Sequence, residues 1–306
     1  MSGSQTLRIG AVFATMNRAE TAVRCVLALA AQTRPPDLVV VADNVSSDDT
    51  VERLKELPGL PFELEVLRMP ENLGNAGGVE AALSSAFGKD CDSVWILDDD
   101  SWPRNEALAE LLGGEWDPRV VRHSIQIDPK TGRLTWPMQV FAGDRFQLVG
   151  GVEDLPDSGF VRTRIMWTGA LLPKEVRETV GRVHCGLFIR GEDEEYPWRF
   201  EQHGFTQAAA VQSVLDHPGP ENLIHLRLLG RNFFFERGLA DWKLYYKVRN
   251  MVWLKLHQTG WMRALAIAAS YLLVVSRVDG PRRAPLVLEA IRDGLVGRLG
   301  KWAKHP

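Results

Sequence analysis

Three consecutive carboxylates, Asp98, Asp99 and Asp100, follow the apolar run 94–97. Side chains of an extended chain alternate between two faces, so Asp98 and Asp100 share one side and Asp99 takes the other. Two carboxylates on one side repel each other unless a cation lies between them, and a hard divalent ion such as Mg²⁺ or Mn²⁺ suits their oxygen atoms. The segment therefore predicts a metal site that leaves room for diphosphate oxygens, with a solvated acidic loop as the alternative.

A second acidic run, residues 192–195, follows the apolar run 187–190, for which the pattern predicts a strand. One of these carboxylates could accept a proton from a hydroxyl as a general base. The same acids could instead only begin a helix, because carboxylates favour the positive end of a helix dipole. Arg199 would then pair with Glu195 at a spacing of four. Spacing alone leaves both interpretations open.

Two shorter motifs add to these runs. Asp216, His217 and Pro218 end the predicted strand 208–215, where a histidine is either a structural residue or a metal ligand. Residues 72–78 (NLGNAGG) form a glycine-rich turn that could let the backbone approach a nucleotide or sugar closely. This turn does not have the spacing of a dinucleotide-binding or ATP-binding loop, which argues against both kinds of site.

The first hundred residues alternate between strand-like and helix-like patterns. Apolar runs predict strands at 9–15, 38–42, 64–68 and 93–97, and helical spacing predicts helices at 20–32, 47–57 and 75–87. Strands joined by crossover helices form a mainly parallel sheet, whose ligands bind beyond the carboxyl ends of the strands. We therefore expect the polar segments after these strands to converge, namely residues 15–18, 43–44, 71–78 and 98–100.

The rest of the chain changes character twice. Residues 115–235 have a mixed pattern of strands and loops, with a strand-like run at 164–170, and the pattern from residue 239 onward is helical. Residues 264–275 carry no charge but fall short of the roughly 20 residues that span a bilayer. A basic amphipathic helix is predicted at 285–304. We expect a catalytic domain at 1–238, with a nucleotide-binding half at 1–100 and an acceptor half at 101–238, and a helical region at 239–306.

The charges are distributed unevenly between these regions. Residues 241–306 hold 12 lysines and arginines against 4 acidic residues, a net charge of +8, whereas the whole chain has a net charge of −3. A basic amphipathic tail indicates an anionic partner, and a membrane surface suits it better than nucleic acid. A tail that covers the catalytic domain or forms a homo-oligomer is the alternative. The three widely spaced cysteines and the polar first eight residues favour the cytoplasm, at the inner face of the membrane.

As a set, these motifs resemble the family 2 glycosyltransferases, which have the α/β GT-A fold. The matching pieces lie in the family's order and spacing: 14–18 (ATMNR), 32–36 (QTRPP), 41–48 (VADNVSSD), 72–78 (NLGNAGG), 98–100 (DDD), 167–170 (WTGA) and 192–199 (EDEEYPWR). Within the family, the chain is similar to bacterial galactofuranosyltransferases and rhamnosyltransferases. That finer resemblance depends on residues 187–191 (LFIRG), 216–218 (DHP) and 245–250 (YYKVRN).

The resemblance implies a donor site for a nucleotide sugar, UDP-linked or dTDP-linked. The residues implied to bind the donor are Thr15, Asn17, Arg18, Asp43, Asn72, Gly78, Asp98, Asp99, Trp167 and Gly169. Asp98, Asp100 and His217 are implied to hold Mn²⁺ or Mg²⁺. Met16 departs from the family, which has an aromatic or small polar residue there, and we expect it to alter packing near the base.

The resemblance also implies an acceptor site for a polyprenyl-linked or other glycan-linked acceptor. Asp193 is implied to be the general base, with Glu192 beside it and Arg199 orienting the cluster, although the extra acid Glu194 complicates that choice. Direct displacement by the acceptor hydroxyl would invert the anomeric centre. Two alternatives from other classes stay open: a nucleotidyltransferase, and a non-catalytic protein of the same fold that binds membrane through its tail.

Overall fold

The computed structural model describes residues 7–143, 145–164, 167–220, 222–228 and 231–305. The chain divides into two compact units. The first comprises Met1–Val183 and Tyr196–Gly219, and the second comprises His184–Glu195 and Pro220–Pro306. The division that the sequence predicts, into a catalytic domain at 1–238 and a helical region at 239–306, stays a prediction.

The first unit begins with alternating strands and helices, which confirms the predicted α/β class. They are β1 (Ile9–Thr15), α1 (Ala19–Ala30), β2 (Leu38–Asp43), α2 (Thr50–Lys55), β3 (Glu63–Arg68), α3 (Gly74–Gly88) and β4 (Ser93–Ile96). The strands pair in parallel in the order β3-β2-β1-β4. All four strands and all three helices predicted for this part of the sequence are present, with ends that differ by a few residues.

The sheet continues through the rest of the first unit. The further elements are β5 (Trp102–Pro103), α4 (Ala107–Leu112), β6 (Val120–Ile127), β7 (Met138–Ala142), β8 (Arg145–Val149), β9 (Phe160–Thr163), β10 (Ala170–Pro173), α5 (Lys174–Val180) and β11 (Thr206–Asp216). From β4 the order is β10-β6-β11-β9-β7-β8, and β5 pairs with β11. The predicted strand at 164–170 is wrong for residues 164 and 167–169, which lie between β9 and β10, whereas Ala170 begins β10. Residues 165 and 166 lie outside the described residues.

Strand directions explain why distant segments meet at one edge of this sheet. β10 runs antiparallel to both of its neighbours, β4 and β6, so β4 and β6 point the same way. β11 pairs in parallel with β6. The carboxyl ends of β1, β4 and β11 therefore lie at the same edge, as ligand-binding α/β sheets require.

Alternation along the strands divides the core of the first unit between the two faces of the sheet. Val12, Val40, Val94 and Ile96 pack on one face with α3, whereas Phe13, Val39, Val41, Trp95 and Leu97 pack on the other with α1, α2 and α4. Both faces are covered by helices here, so nearly every residue of β1, β2 and β4 is apolar. Burial on both faces keeps the carboxyl edge of the sheet in a fixed register.

The second unit is mainly helical. It contains a 3₁₀ turn (Cys185–Leu187), the start of α6 (Glu192–Gln202), the antiparallel hairpin β12 (Leu223–Leu228) and β13 (Arg231–Glu236), and the helices α7 (Asp241–Thr259), α8 (Trp261–Val278) and α9 (Ala284–Leu295). Apolar side chains of the three long helices form its core. The helical region predicted from residue 239 onward is confirmed.

Two sequence predictions in this unit are wrong. Residues 187–190 do not form a strand, because Phe188 and Arg190 have positive φ angles of 67° and 66°, which no extended ladder accepts. The predicted helix 285–304 ends at Leu295, and Gly297 and Gly300 follow it with positive φ angles of 70° and 93°. Such glycines commonly terminate helices.

The helix around the uncharged stretch 264–275 is longer than that stretch. α8 has 18 residues, and by length and composition it is the helix within the described residues that is long and apolar enough to cross a membrane. Helices in the core of a water-soluble unit meet the same criterion. The uncharged stretch of twelve residues is too short to span a bilayer, but the length of the whole helix α8 does not exclude a membrane span.

Candidate active site

The acidic residues 98–100 leave β4 in a turn, in which the amide of Ser101 donates to the carbonyl of Asp98 at 3.0 Å. His217 directly follows β11 at the same edge of the sheet. Its backbone amide donates to the carbonyl of Ile127 at the end of β6, at 2.9 Å, which fixes the residue against the sheet. The parallel register of β6 and β11 thus carries a histidine from late in the sequence to the acids that follow β4.

Asp98, Asp100 and His217 form a cluster of potential metal ligands. Their ligand atoms all lie within 4.8 Å of one another. The Nε2 atom of His217 is 3.6 Å from Oδ2 of Asp98 and 3.7 Å from Oδ1 of Asp100. Two carboxylate oxygens and an imidazole nitrogen suit Mn²⁺ or Mg²⁺, so the residues fit the divalent ion that the sequence predicts.

Asp98 is held by a residue that the sequence analysis did not select. The hydroxyl of Thr168 donates to Oδ2 of Asp98 at 2.6 Å. The carbonyl of Thr168 in turn accepts from the side-chain amide of Gln126 at 3.0 Å. Thr168 lies inside the motif 167–170, and that motif was the signal that could have identified it. Its contact with Asp98 could not be predicted, because no sequence spacing relates a hydroxyl to a carboxylate seventy residues away.

Asp99 contacts residues at the end of β1 and just after it rather than His217. Its carboxylate accepts from the hydroxyl of Thr15 at 2.8 Å and pairs with Arg18 at 2.9 Å. The same guanidinium pairs with Oδ2 of Asp100 at 2.7 Å. Thr15 at the end of β1 and Arg18 just after it, both predicted donor-site residues, are therefore joined to the acids after β4.

The electrostatics of the cluster separate its members. Burial raises the pKa of Asp99 to about 7, with the charges of Asp100 and Asp98 acting in the same direction and Arg18 and Thr15 opposing them. Burial lowers the pKa of His217, but its hydrogen bond to Asp98 and the charges of Asp98 and Asp100 outweigh burial and raise the pKa overall. Burial raises the pKa of Asp98, yet His217, Thr168 and Arg18 together hold it below its ordinary value. The pKa values of Asp98, Asp99 and His217 are therefore set partly by neighbouring charges within the site.

Asn17 and Asp43 shape the loop that follows β2. Asn17 has a positive φ of 53°, and its side-chain oxygen accepts from the amide of Ser47 at 2.6 Å. Asp43 is fully buried, and both its carboxylate oxygens accept from the amide of Ser46 at 3.2 Å. Arg68 at the end of β3 is 3.8 Å from Asp43 and donates to the carbonyl of Ser46 at 2.9 Å. The sequence predicted no role for Arg68, although this residue ends a predicted strand.

The glycine-rich turn packs tightly against β1 and β2. A Cβ atom at Gly78 would lie 2.8 Å from Cβ of Ala14 and 2.9 Å from Nδ2 of Asn44. Asn72 accepts from the amide of Gly74 at 2.9 Å, and its Nδ2 lies 3.2 Å from the sulfur of Met16. Gly78 is thus needed for the close approach of α3 to β1, whatever its role toward a donor.

Trp167 and Gly169 flank Thr168, the residue that donates to Asp98. Gly169 has a positive φ of 88°, and an added Cβ would lie 3.0 Å from Leu215 and 3.1 Å from Ser124. Its carbonyl accepts from the indole of Trp95 at 3.2 Å. Trp167 is buried in the core cluster, where its ring contacts Tyr196 edge to face. Gly169 therefore allows the chain to turn into β10 just after Thr168.

The acidic run 192–195 belongs to the second unit. Asp193 is exposed, and its Oδ1 accepts from the amide of Gly191 at 2.8 Å, while Glu192 is buried. Glu194 pairs with Lys255 of α7. The residues form the first turn of α6, so the predicted helix start is confirmed, and the general-base role of Asp193 stays a prediction.

Asn250 holds the segment that precedes this run. Its side-chain amide donates to the carbonyls of Leu187, Ile189 and Arg190, at 2.8, 3.1 and 2.5 Å. These three bonds stabilise the two positive φ angles at Phe188 and Arg190. Asn250 is part of the motif 245–250, whose function the sequence did not reveal.

Arg199 is in the part of α6 that belongs to the first unit. Its guanidinium donates to the carbonyls of Val180 and Arg182, at 2.9 and 2.7 Å, and lies over the ring of Tyr196. These contacts connect α6 to the end of α5. The proposed orienting role of Arg199 toward the acidic run stays a prediction.

Comparisons with known proteins agree with this fold. Residues 11–152 match the family model described as glycosyl transferase family 2. The galactofuranosyltransferase GlfT1 of Mycobacterium tuberculosis is 28% identical over 315 residues, which cover 98% of this chain and 98% of that protein. GlfT1 of Mycolicibacterium smegmatis is 26% identical over 281 residues, covering 88% of this chain and 90% of that protein.

A solved structure has the same fold. The mannosyltransferase PcManGT from Pyrobaculum calidifontis, in complex with GDP-Man and Mn²⁺, aligns with a TM-score of 0.55 at 18% identity, covering 96% of this chain and 76% of that one. The fold and site thus define a glycosyltransferase of the GT-A fold that carries a family 2 domain. Within this class the chain resembles galactofuranosyltransferases.

Proposed function

We propose that the protein transfers galactofuranose from UDP-galactofuranose to a hydroxyl of a lipid-linked glycan, with inversion at the anomeric carbon. The observation that carries the proposal is the cluster of Asp98, Asp100 and His217 at the carboxyl edge of the sheet, beside Arg18. Two similar proteins named galactofuranosyltransferases favour this sugar. Rhamnose from dTDP-rhamnose is the second candidate, because the sequence motifs also resemble rhamnosyltransferases.

Asp98, Asp100 and His217 would hold the divalent ion, Mn²⁺ or Mg²⁺. Mn²⁺ is present in the complex of PcManGT, which supports this assignment. When bound, such an ion offsets the negative charge that develops on the departing nucleoside diphosphate. Arg18 adds a further positive charge next to Asp100, at the side where the diphosphate would lie.

The nucleoside would bind along the loops after β1, β2 and β3. Thr15 and Asp43 end β1 and β2, Asn17 lies in the loop after β1, and the resemblance assigns all three to the nucleotide pocket. Asn72, Gly78, Trp167 and Gly169 would border the donor, and Asp99 supports it through Arg18 and Thr15. Sugar transfer breaks the bond from the anomeric carbon to the diphosphate oxygen and forms a bond to the acceptor oxygen.

Asp193 would accept the proton that the acceptor hydroxyl loses in this step. It is an exposed carboxylate, as a group that meets an acceptor must be, and Gly191 orients one of its oxygens. Glu192 beside it and Arg199 on the same helix would support the cluster. A carboxylate within reach of the attacking hydroxyl is the usual general base of a direct displacement.

The basic charge of the C-terminal helices supports a membrane location for the reaction and a lipid-linked acceptor. A lipid-linked acceptor would be reached by a peripheral enzyme at the cytoplasmic face of the membrane, with the basic helices 239–306 at the surface. Nucleic acid is not among the proposed partners. A homo-oligomer formed through the tail is the competing use of the same region.

Calorimetric binding of nucleotides tests the donor site. UDP should bind wild-type protein in the presence of Mn²⁺, bind much more weakly without it, and bind at least about tenfold more weakly to Asp100→Ala, because one ligand and its charge are lost. Asp157→Ala, at an exposed position outside the site, is the control. Stronger binding of dTDP than of UDP would favour rhamnose, and binding of neither nucleotide would contradict the proposal.

Transfer assays test the general base separately. Asp193→Asn should keep Mn²⁺-dependent binding of UDP and reduce transfer to the acceptor by a factor of about 10²–10⁴. Glu194→Gln, at the neighbouring acid, is the control. If Glu194→Gln loses transfer and Asp193→Asn keeps it, the role belongs to Glu194 instead.

A further inference from the structure

The second unit leaves one face of α8 uncovered. Trp261, Met262, Leu265 and Leu273 are 65%, 70%, 47% and 58% exposed. A helix advances about 100° per residue, so these four positions fall on one continuous arc of the helix surface. Ala266 and Ala269 are exposed on the same arc, so no charged side chain interrupts it.

The opposite side of α8 already makes the contacts that the unit needs. Ala268, Tyr271, Val274 and Val275 are buried in the core with α7 and α9, and Ala264 on the same side is also buried. The exposed arc is therefore additional apolar surface rather than part of this core. Several large apolar side chains exposed together on one helix face indicate a binding surface.

Basic residues border this arc. Arg263 and Arg277 are exposed and lie at the same rim of the arc, one near each end of α8. Within the described residues neither of them makes an ion pair or a side-chain hydrogen bond. Their charges remain available to a partner.

The acids that could neutralise these arginines are bonded to other cations. Asp241 and Asp279 both pair with Arg283, Glu289 pairs with Lys304, and Asp293 pairs with Arg292 and Arg298. These are the four acidic residues of the segment 241–306. The positive charge of the tail is thus concentrated in groups such as Arg263, Arg277 and the exposed Arg282.

We propose that the α8 face, defined by Trp261, Met262, Leu265 and Leu273 with Arg263 and Arg277 at its rim, docks on the surface of an anionic phospholipid bilayer. The apolar side chains enter the boundary between head groups and acyl chains, and the arginines contact lipid phosphates. A tryptophan at the end of the face suits this boundary, where its ring is half apolar and half polar. The inference rests on the membrane location of the proposed function and names the surface that produces it.

α8 lies in the membrane surface rather than across it. Arg263 and Arg277 are fourteen residues apart, or about 21 Å along a helix, whereas the hydrocarbon core is about 30 Å thick. A span would also require the buried side of α8, including Tyr271, to leave the core of the unit. An interfacial position keeps that core intact.

Sedimentation with lipid vesicles tests the proposal on the full chain. Wild-type protein should bind vesicles of phosphatidylglycerol and phosphatidylcholine, bind pure phosphatidylcholine less, and bind less in 0.5 M salt, since Arg–phosphate attraction is screened. Leu265→Glu combined with Leu273→Glu should reduce partitioning at least about tenfold. Arg263→Gln combined with Arg277→Gln should reduce it several-fold on the anionic vesicles only.

Matched substitutions elsewhere keep the test specific. Leu27 on α1 is 48% exposed, so Leu27→Glu changes an equally exposed leucine outside the α8 face and should leave vesicle binding unchanged. Arg133→Gln is the corresponding control for lost positive charge. Because all replaced side chains are exposed, the variants should keep the wild-type circular dichroism and melting temperature.

Three outcomes would overturn the proposal. The first is failure of the wild type to bind anionic vesicles, and the second is an equal loss of binding in Leu27→Glu. The third is a wild-type dimer that the α8 variants convert to a monomer, because that result would assign the face to a second copy of the chain. Transfer to a water-soluble acceptor separates this result from the proposed function. The α8 variants should keep that transfer, whereas failure of the donor site would abolish it in every variant.

Discussion

The guanidinium of Arg18 joins Asp99 to Asp100, at 2.9 and 2.7 Å. It binds Oδ2 of Asp100, and the other oxygen of that carboxylate faces His217 at 3.7 Å. A residue after β1 thereby sets the rotation of a predicted metal ligand after β4. Asp99, which does not face His217, contributes by holding Arg18 in place.

Arg18→Lys should weaken Mn²⁺-dependent binding of UDP about tenfold, because a lysine cannot bridge two carboxylates with the planar fork of arginine. Charge is retained in this variant, so a loss reports geometry rather than net charge. Calorimetry gives the affinity, and Arg133→Lys is the surface control. Unchanged affinity would mean that Asp100 needs no support from Arg18.

Thr168→Val should reduce kcat by about tenfold with little effect on stability. Valine has nearly the shape of threonine but cannot donate the 2.6 Å bond to Asp98. Initial rates of transfer at several Mn²⁺ concentrations would measure the effect, which should be partly offset by excess Mn²⁺. Thr33→Val, at an exposed hydroxyl near the end of α1, should keep the wild-type rate.

Asn250→Ala should lower the transfer rate while leaving UDP binding intact. It removes three bonds to the carbonyls of residues 187, 189 and 190 and leaves buried acceptors unsatisfied, at a cost of roughly 2–3 kcal/mol in the second unit. Denaturant unfolding and nucleotide calorimetry measure the two effects. A variant with weakened UDP binding would show that Asn250 acts beyond its own unit.

Gly78→Ala should destabilise the protein by about 1–3 kcal/mol, because the new methyl would lie 2.8 Å from Cβ of Ala14. Gly88→Ala is a matched control on the same helix, since nothing lies within 4 Å of the added Cβ and alanine favours helix. Thermal unfolding compares them. Equal stability combined with lost UDP binding would assign Gly78 to the donor rather than to packing.

The pKa of Glu236 predicts acid sensitivity in the second unit. Burial raises this pKa, but the hydrogen bond and charge of Arg190 and the charge of Lys247 outweigh it and bring the pKa to about 2. The unfolded chain binds this proton near pH 4.5, so the stability is present above pH 4.5 and is lost as the pH falls toward 2. The group contributes roughly 2–3 kcal/mol.

Glu236→Gln should therefore flatten the pH dependence of unfolding between pH 4.5 and 2, at the expense of stability near pH 7. Denaturant unfolding at a series of pH values measures the slope. Glu175→Gln, at an exposed carboxylate of α5, should keep the wild-type slope. A wild-type slope in Glu236→Gln would show that the pair with Arg190 contributes nothing to stability.

The sequence predicted the elements of the first hundred residues because their patterns are local. Strands such as Leu38–Asp43 are continuous apolar runs, and polar residues follow each of them at the edge where parallel strands end. The acids after β4 and the histidine after β11 were predicted as metal ligands, and the structure brings their ligand atoms within 4.8 Å. The strand at 187–190 was predicted wrongly because its backbone is held by Asn250, sixty residues away.

The sequence by itself determined the α/β class, the family resemblance and the acidic motifs, because periodicity and short motifs are properties of neighbouring residues. Only the tertiary structure decided which groups support them. The antiparallel β10 between β4 and β6 sets the strand directions that bring His217 to Asp98, and Thr168 and Arg18 reach the acids from other elements. Such contacts join residues 70 to 120 positions apart, and no local pattern encodes which distant side chain will complete a site.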